Sequence, residues 1–340
     1  MPTLAVTGVS GFIGDAVARR YADRGWRVRG LDLRLPDSAD PLTPNADPRV
    51  DYAVGSVTDS DDVARLVEGA DVVVHTAAIV AESGDWRDFD RVNAQAPRLV
   101  ALAARDAGAT SFVHLSSVMV HGFDFPDGCP EYGPLDHADN PYCATKIRAE
   151  HLLRGLERPG AFHVHVVRPG DVYGPMSIPW IVRPVQHMRD GTFLYVDPRT
   201  SVINHVYVDN LVDAIETVIA AGERASGRAY IATDGHATLT REFYGWYADQ
   251  LGMRFTLSLP GWFAEPAVGL AAAALPDRWR RRLDLDRQSI RYLRRRTSYS
   301  PAALRSLGWE PRVPLSEGRE VTAAWLRAVG LLPPGAATSP

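Results

Sequence analysis

The feature that most constrains this chain is a glycine-rich turn wedged between an apolar strand and a helix. Thr3-Leu4-Ala5-Val6-Thr7 reads as a short buried strand, Gly8-Val9-Ser10-Gly11-Phe12-Ile13-Gly14 as the turn, and Phe12 to Arg24 as the helix. Glycines there permit a tight turn and let backbone approach a ligand closely. The helix N-terminus behind them favours an anion, because its first N–H groups are unpaired. The alternation then repeats. Strands are predicted at Arg27–Leu31, Val50–Val54, Val72–His75, Phe112–Leu115 and His163–Val167, and helices at Ser60–Glu68, Trp86–Asp106 and Tyr142–Gly155. Strands alternating with helices predict an α/β fold: a doubly wound parallel sheet of the Rossmann type, covered on both faces.

Past Arg168 the rhythm changes. A helix is expected at Val208–Ala221, strands at 228–232 and 254–258, and a closing helix at Ser316–Val329 with Ser316 as its N-cap. The predicted organisation is a dinucleotide-binding core over 1–170, with 200–232 returning to it. A smaller, interleaved substrate-binding region takes 171–199 and 233–332, and 333–340 is a frayed tail. At 340 residues the chain can bury one such core. A net charge of -4 gives no global pull toward nucleic acid. Cys129 and Cys143 are the only cysteines, too few for a zinc site or a disulfide framework, and no metal is expected. No apolar run reaches the length of a membrane span and no signal peptide is read, so the expected location is the cytoplasm.

Three positions bring chemistry to this frame. Asp32 ends the second strand 18 positions after Gly14. A carboxylate there can bond an adenosine ribose hydroxyl and repels a 2′-phosphate, which favours NAD over NADP; Arg34 is the residue that would favour NADP. Tyr142 and Lys146 lie one helical turn apart. A phenol titrates near 10, and a neighbouring ammonium lowers that value, making the pair an acid/base candidate. The chain has 36 arginines and a single lysine, Lys146, so the one compact ammonium stands four residues after that tyrosine. Ser117, at the end of the strand Phe112–Leu115, can hydrogen-bond the reacting oxygen. His75 reads as a structural strand end, and Cys143 as a packing residue off the Tyr142–Lys146 face.

Taken together, the Gly8–Gly14 loop, His75-Thr76-Ala77-Ala78, Asn93, Leu115-Ser116-Ser117, Tyr142-x-x-x-Lys146 and Arg168-Pro169-Gly170 resemble the extended short-chain dehydrogenase/reductases, the NAD-dependent epimerase/dehydratase superfamily. The likeness extends through 3–215 and returns at Leu307-Gly308-Trp309-Glu310-Pro311. It implies Ser117, Tyr142 and Lys146 as catalytic residues, with Lys146 also on the nicotinamide ribose. It implies a cofactor site lined by Gly8, Gly11, Phe12, Ile13, Gly14, Asp32, Arg34, Ser56, Val57, Thr76, Ala77, Ala78, Asn93, Pro169 and Val172, and a homodimer. Ser56 departs from the pattern, since many members carry an acid there.

Within that family, nucleotide-sugar enzymes resemble one another in an asparagine where this chain has Asp171, and in an arginine where it has Ile203. Asp171 is therefore expected to face the place where a diphosphate would sit. Asn204-His205-Val206-Tyr207-Val208-Asp209-Asn210 instead resembles the 3β-hydroxysteroid and sterol dehydrogenase branch. The resulting expectation is an NAD-dependent dehydrogenase/reductase acting on a secondary alcohol or ketone of an apolar, steroid-like substrate. The alternatives are a nucleotide-sugar epimerase or dehydratase, and a non-catalytic NAD(P)-sensing regulator. The apolar stretch over 260–275 fits a cap on such a substrate or an ordinary core helix. The basic clusters at Arg278, Arg280–Arg282 and Arg294–Arg296 read as solvated faces, with peripheral contact to an anionic membrane as the other reading.

Overall fold

The computed structural model describes residues 1–37, 39–81, 84–137, 139–253, 257–264, 266 and 287–334. The elements of the first half are β1 Thr3–Thr7, α1 Phe12–Asp23, β2 Arg27–Asp32, β3 Val50–Val54, α2 Ser60–Val67, β4 Val72–His75, α3 Trp86–Phe89, α4 Ala96–Asp106, β5 Ser111–Leu115, α5 Pro141–Leu153 and β6 His163–Pro169. They are followed by β7 Asp171–Tyr173, α6 Arg183–Arg189, β8 Leu194–Val196, β9 Val202–Ile203, β10 His205–Tyr207, α7 Val208–Ala221, β11 Arg228–Ala232, β12 Thr238–Leu239, α8 Thr240–Gln250 and β13 Leu257–Leu259. Helices at Arg287–Leu293, Ala302–Ser306 and Leu315–Ala328 complete the described chain.

Seven strands form one sheet in the order β11-β6-β5-β4-β1-β2-β3. Every pairing in it is parallel. Both faces must then be apolar, and they are. Val6, Val28, Val74, Val113 and Val167 pack under α1 and α7 with Val17, Tyr21, Leu211 and Ile215. Ala5, Leu31, Val73, Phe112 and Val164 pack under α2, α4 and α5 with Val63, Leu66, Val100, Ala104 and Leu153. The strand order reverses between β1 and β4. That switch point opens a crevice at the carboxyl ends of the strands, where ligands of open α/β sheets bind. β11 adds to the outer edge of β6, so Arg228–Ala232 joins the sheet. The pairs β7–β10, β9–β12 and β8–β13 build the smaller part beyond β6.

Two local departures from the sequence expectation have physical causes. The single helix expected across Trp86–Asp106 is interrupted by a π-helical turn at Asp90–Gln95. Pro97 has no N–H to return to the carbonyl four residues back, and the widened turn carries Asn93 into the core. The closing helix begins at Leu315 behind Pro314, with no side-chain cap. Ser316 therefore lies inside the first turn and is not the N-cap. Of the strand expected at 254–258, residues 254–256 lie outside the described residues, as do 335–340 of the tail. So do most of the 260–275 stretch and the cluster at Arg278–Arg282.

Candidate active site

At the glycine turn, Gly8 adopts φ +71° and donates its N–H to the Leu31 carbonyl at 2.8 Å. A Cβ on Gly14 would stand 2.1 Å from the Gly8 carbonyl oxygen, and one on Gly8 would stand 2.8 Å from the Ala77 nitrogen. Glycine is thus required at these two positions by contact as well as by dihedral. Gly11 precedes α1 without a side-chain cap, so no side chain competes for the first-turn N–H groups around Phe12 and Ile13. Asp32 accepts from Ser10 N–H at 3.0 Å and from Leu33 N–H at 2.7 Å, one bond to each carboxylate oxygen. The carboxylate is held beside the loop with lone pairs to spare for a ribose diol. Arg34 is exposed, and its carbonyl accepts the Ser10 hydroxyl at 2.8 Å. An uncapped helix start, a cradle that a Cβ would fill and an oriented carboxylate fit a dinucleotide.

The crevice wall is a strap over Thr76–Ile79. The Thr76 hydroxyl donates to the Thr7 carbonyl at 2.7 Å, and Ala77 N–H donates to the Thr7 hydroxyl at 3.4 Å. Asn93 clamps the far end: its Oδ1 accepts from Ile79 N–H at 2.7 Å and its Nδ2 donates to the Ile79 carbonyl at 2.9 Å. The sequence places Asn93 among the residues lining the cofactor; in the structure its amide is taken up in holding the strap at Ile79. Ser56 N–H donates to Asp62 at 2.8 Å, while the Val57 side chain turns into the core beside Leu31 and Val63. Ala78 is half-buried on the strap, and Pro169 and Val172 are buried at the end of β6 and in β7. His75 is fully buried with Nδ1 on the Thr7 hydroxyl at 2.9 Å. Burial, assisted by the Lys146 charge, pushes it down to about 3, which leaves a neutral imidazole.

The candidate catalytic residues Ser117, Tyr142 and Lys146 come together at the end of β5. Ser117 caps a short turn by accepting Met119 N–H at 3.1 Å. Asn140 caps α5 by accepting Tyr142 N–H at 2.9 Å, with Pro141 at the first helical position, which fixes where Tyr142 emerges. Lys146 is 2% exposed and donates to the Leu115 carbonyl at 2.7 Å, with Nζ 5.7 Å from the Tyr142 ring centroid. The sequence expectation is that Lys146 lowers the tyrosine. In this geometry burial dominates and pushes Tyr142 up to about 12, with the Ser117 hydroxyl working the other way. Lys146 itself is pushed down to about 8 by burial, against the pull of Glu150.

Glu150, one turn further along α5, is buried and holds Arg168 through two bonds of 2.9 and 2.5 Å. It also accepts the Ser116 hydroxyl at 2.6 Å. This pair ties α5 to β5 and β6 directly behind Tyr142 and Lys146. Sequence reasoning gives neither residue a site role of its own, although Glu150 continues the i, i+4 series of Tyr142 and Lys146.

The expectation for Asp171 is corrected. Its side chain is fully enclosed rather than facing an open site. It accepts from Asn204 N–H at 2.8 Å, from Arg295 Nη2 at 2.9 Å and from the Tyr292 hydroxyl. The cluster Arg294–Arg296, read as a solvated face, has its middle member buried. Arg295 lies 3.5 Å over the Tyr292 ring, which stands 5.2 Å from Trp180 and 6.0 Å from Phe123. Only the fold brings Arg295 to Asp171, across a separation of 124 residues. Among the described residues no cluster of potential metal ligands occurs, and no helix is long and apolar enough to cross a membrane.

A Rossmann-type sheet with a glycine cradle at its switch point and a serine, tyrosine and lysine at the end of β5 defines a dinucleotide-dependent enzyme of the extended short-chain dehydrogenase/reductase class. The chain belongs to the NAD dependent epimerase/dehydratase family, whose profile matches residues 4–232. It is 29% identical over 253 residues to a 3-beta-hydroxysteroid dehydrogenase of Mycolicibacterium neoaurum, covering 70% of this chain and 67% of that one. It is 30% identical over 337 residues to a UDP-glucose 4-epimerase of Mycolicibacterium smegmatis, covering 95% and 97%. Among solved structures it resembles the dTDP-glucose 4,6-dehydratase DesIV of Streptomyces venezuelae, solved with NAD bound, at 25% identity and a TM-score of 0.75 over 96% of this chain and 97% of that one.

Proposed function

We propose that this protein is an NAD-dependent dehydrogenase/reductase interconverting a secondary alcohol and a ketone on an apolar, steroid-like substrate. The observation that carries the reading is the aromatic group Phe123, Trp180 and Tyr292, each partly exposed, set against the enclosed Asp171–Arg295 pair. Partly exposed rings suit a flat apolar body, and a guanidinium already neutralised has no charge to offer a diphosphate. The cofactor, when bound, would accept hydride from the carbinol carbon as NAD in alcohol oxidation and would donate it to the carbonyl carbon as NADH in ketone reduction. Ser117 orients the substrate oxygen and Tyr142 exchanges its proton. Lys146 holds the ribose and supplies positive charge beside the phenol. Burial favours the protonated phenol, the state in which Tyr142 gives its proton to the carbonyl oxygen while NADH would give hydride to the carbonyl carbon.

The second reading is a nucleotide-sugar epimerase or dehydratase. It is favoured by the UDP-glucose 4-epimerase relative, which aligns with nearly the whole chain, whereas the hydroxysteroid dehydrogenase aligns with 70% of it. Two measurements separate them. NADH absorbance is followed with a panel of secondary alcohols, steroids included, and calorimetry follows titration with UDP-glucose and dTDP-glucose. Turnover of apolar alcohols without nucleotide-sugar binding is the expected result. Micromolar binding of either nucleotide sugar overturns the dehydrogenase reading in favour of the sugar class.

A further inference from the structure

We infer that Asp171 is a resident counter-anion: it fills, from within the fold, an anion site built by Arg295, Tyr292 and the Asn204 N–H, and so closes that site to phosphorylated or carboxylated substrates. The functional meaning rests on the apolar-substrate reading above, but the site itself is defined by geometry alone.

The donors around Asp171 saturate its carboxylate. Asn204 N–H and Arg295 Nη2 reach its Oδ2 at 2.8 and 2.9 Å, and Tyr292 and Arg295 both reach Oδ1, the latter at 3.2 Å. Arg295 Nη1 and the Tyr299 hydroxyl, both buried, make no bond to the carboxylate and interact with each other beside it. Four hydrogen bonds converging on two oxygens are what a buried carboxylate, or an anion bound in its place, requires. A guanidinium does not give up its proton, and a buried one left unpaired is strongly destabilising, so an anion must stay beside Arg295. The chain supplies that anion itself, through a residue 33 positions from Asn204 and 124 from Arg295. A substrate therefore need not bring one, and an anionic substrate finds the arginine already taken. A purely structural clasp would hold the 292–299 segment to β7 in the same way, and the two roles differ in what happens when the charge is removed.

Asp171→Ala removes the carboxylate and opens its volume, while Asp171→Asn keeps the shape and removes only the charge. Formate, inorganic phosphate and chloride are compared at equal ionic strength, by melting temperature and by calorimetry. Formate, which matches the missing carboxylate, should bind Asp171→Ala at least tenfold more tightly than it binds the wild type or Asp171→Asn, and should raise its melting temperature by several degrees more than chloride does. Both gains should vanish in Asp171→Ala/Arg295→Gln. Equal responses of wild type and Asp171→Ala, or a gain that survives in the double variant, would overturn the inference in favour of a structural clasp, which an untethered anion cannot restore. Should Asp171→Ala not fold on its own, it is refolded in formate: recovery in formate and not in chloride supports the counter-anion, and no recovery rejects it. Alcohol turnover by the wild type is measured alongside, so that failure of the dehydrogenase reading appears there and failure of the counter-anion appears only in the anion arms.

Discussion

Lys146 is the one ammonium in a chain with 36 guanidinium groups, and its surroundings account for the exception. The group is buried, points at a single carbonyl, and has its pKa pushed down to about 8. A guanidinium is wider, demands several acceptors and cannot shed its proton to escape burial. Lys146→Arg and Lys146→Met are both expected to lose more than nine-tenths of kcat, measured on whichever alcohol the substrate screen yields. Lys146 also carries a stability signature. Its native pKa lies below the unfolded value of 10.5, so between pH 8 and 10.5 the unfolded chain binds more protons and stability rises with pH. The rise amounts to at most about 3 kcal/mol, from about 1.4 kcal/mol per pKa unit. Tyr142 acts in the opposite sense above pH 10, since its native value is raised, so the comparison with Lys146→Met is read below that pH. Denaturant titrations of the two across pH 7–10 should therefore diverge upward for the wild type, and parallel curves would mean the ammonium is not desolvated. At Asp32 the expectation is electrostatic: both carboxylate oxygens are fixed by main-chain N–H groups, so a 2′-phosphate meets an oriented negative charge. NAD should bind more tightly than NADP, and Asp32→Asn should narrow the ratio of the two dissociation constants by about tenfold, an effect of about 1.4 kcal/mol. An unchanged ratio would move the discrimination elsewhere.

At the scale of elements, the β1–turn–α1 unit is where sequence and structure agree most closely, because its constraints are local. A strand that ends at Thr7 and a helix that begins at Phe12 leave the turn little freedom, and the steric reason is visible atom by atom. Gly14→Ala would drive a Cβ to 2.1 Å from the Gly8 carbonyl, so the helix must move away from the loop. The variant is expected to lose at least a hundredfold in NAD affinity by calorimetry while keeping its far-ultraviolet circular dichroism. Near-wild-type affinity would mean the loop relaxes at no cost. The helix over Trp86–Asp106 was legible as helix but not as three segments. Apolar periodicity carries no mark of the π-turn; the mark is Pro97, whose missing N–H acts on the carbonyl of Asn93. The roles of Asn93 and Glu150 stayed hidden for a related reason. Each is a polar residue on a helix, and only the partner brought by another element, Ile79 in one case and Arg168 in the other, gives it work.

Across the whole molecule, what the sequence could not disclose is how residues beyond β11 return to the core. The Arg294–Arg296 run looks uniform as text, yet Arg295 is enclosed and Arg296 far more open to solvent, because Arg295 alone lies over the Tyr292 ring toward β7. One of these long-range joints centres on Asn210 in α7, a residue that enters the sequence reading only as part of a resemblance. Its Oδ1 accepts from Arg312 N–H and Val313 N–H, each at 2.9 Å, while its Nδ2 donates to Asp234 and to the Val313 carbonyl, each at 2.9 Å. Its own carbonyl accepts the indole N–H of Trp309, itself buried, at 3.1 Å. The side chain is thus saturated, with two bonds of each polarity and no exposure. Asn210→Asp changes no volume but replaces two donors by an anion aimed at the Asp234 carboxylate and a carbonyl oxygen. Asn210→Ala removes the donors and acceptors together. The isosteric change should therefore be the worse one, destabilising by more than about 3 kcal/mol, against roughly 2 kcal/mol for alanine, a buried charge facing acceptors being costlier than a small polar void. Urea unfolding of the two variants at neutral pH checks the order. The gap should also close on acidification, since protonating the introduced carboxylate restores one donor toward Asp234 or the Val313 carbonyl. An aspartate variant as stable as the alanine variant at neutral pH would mean that water reaches this joint and that the 309–313 segment is held to α7 less tightly than its hydrogen bonds imply.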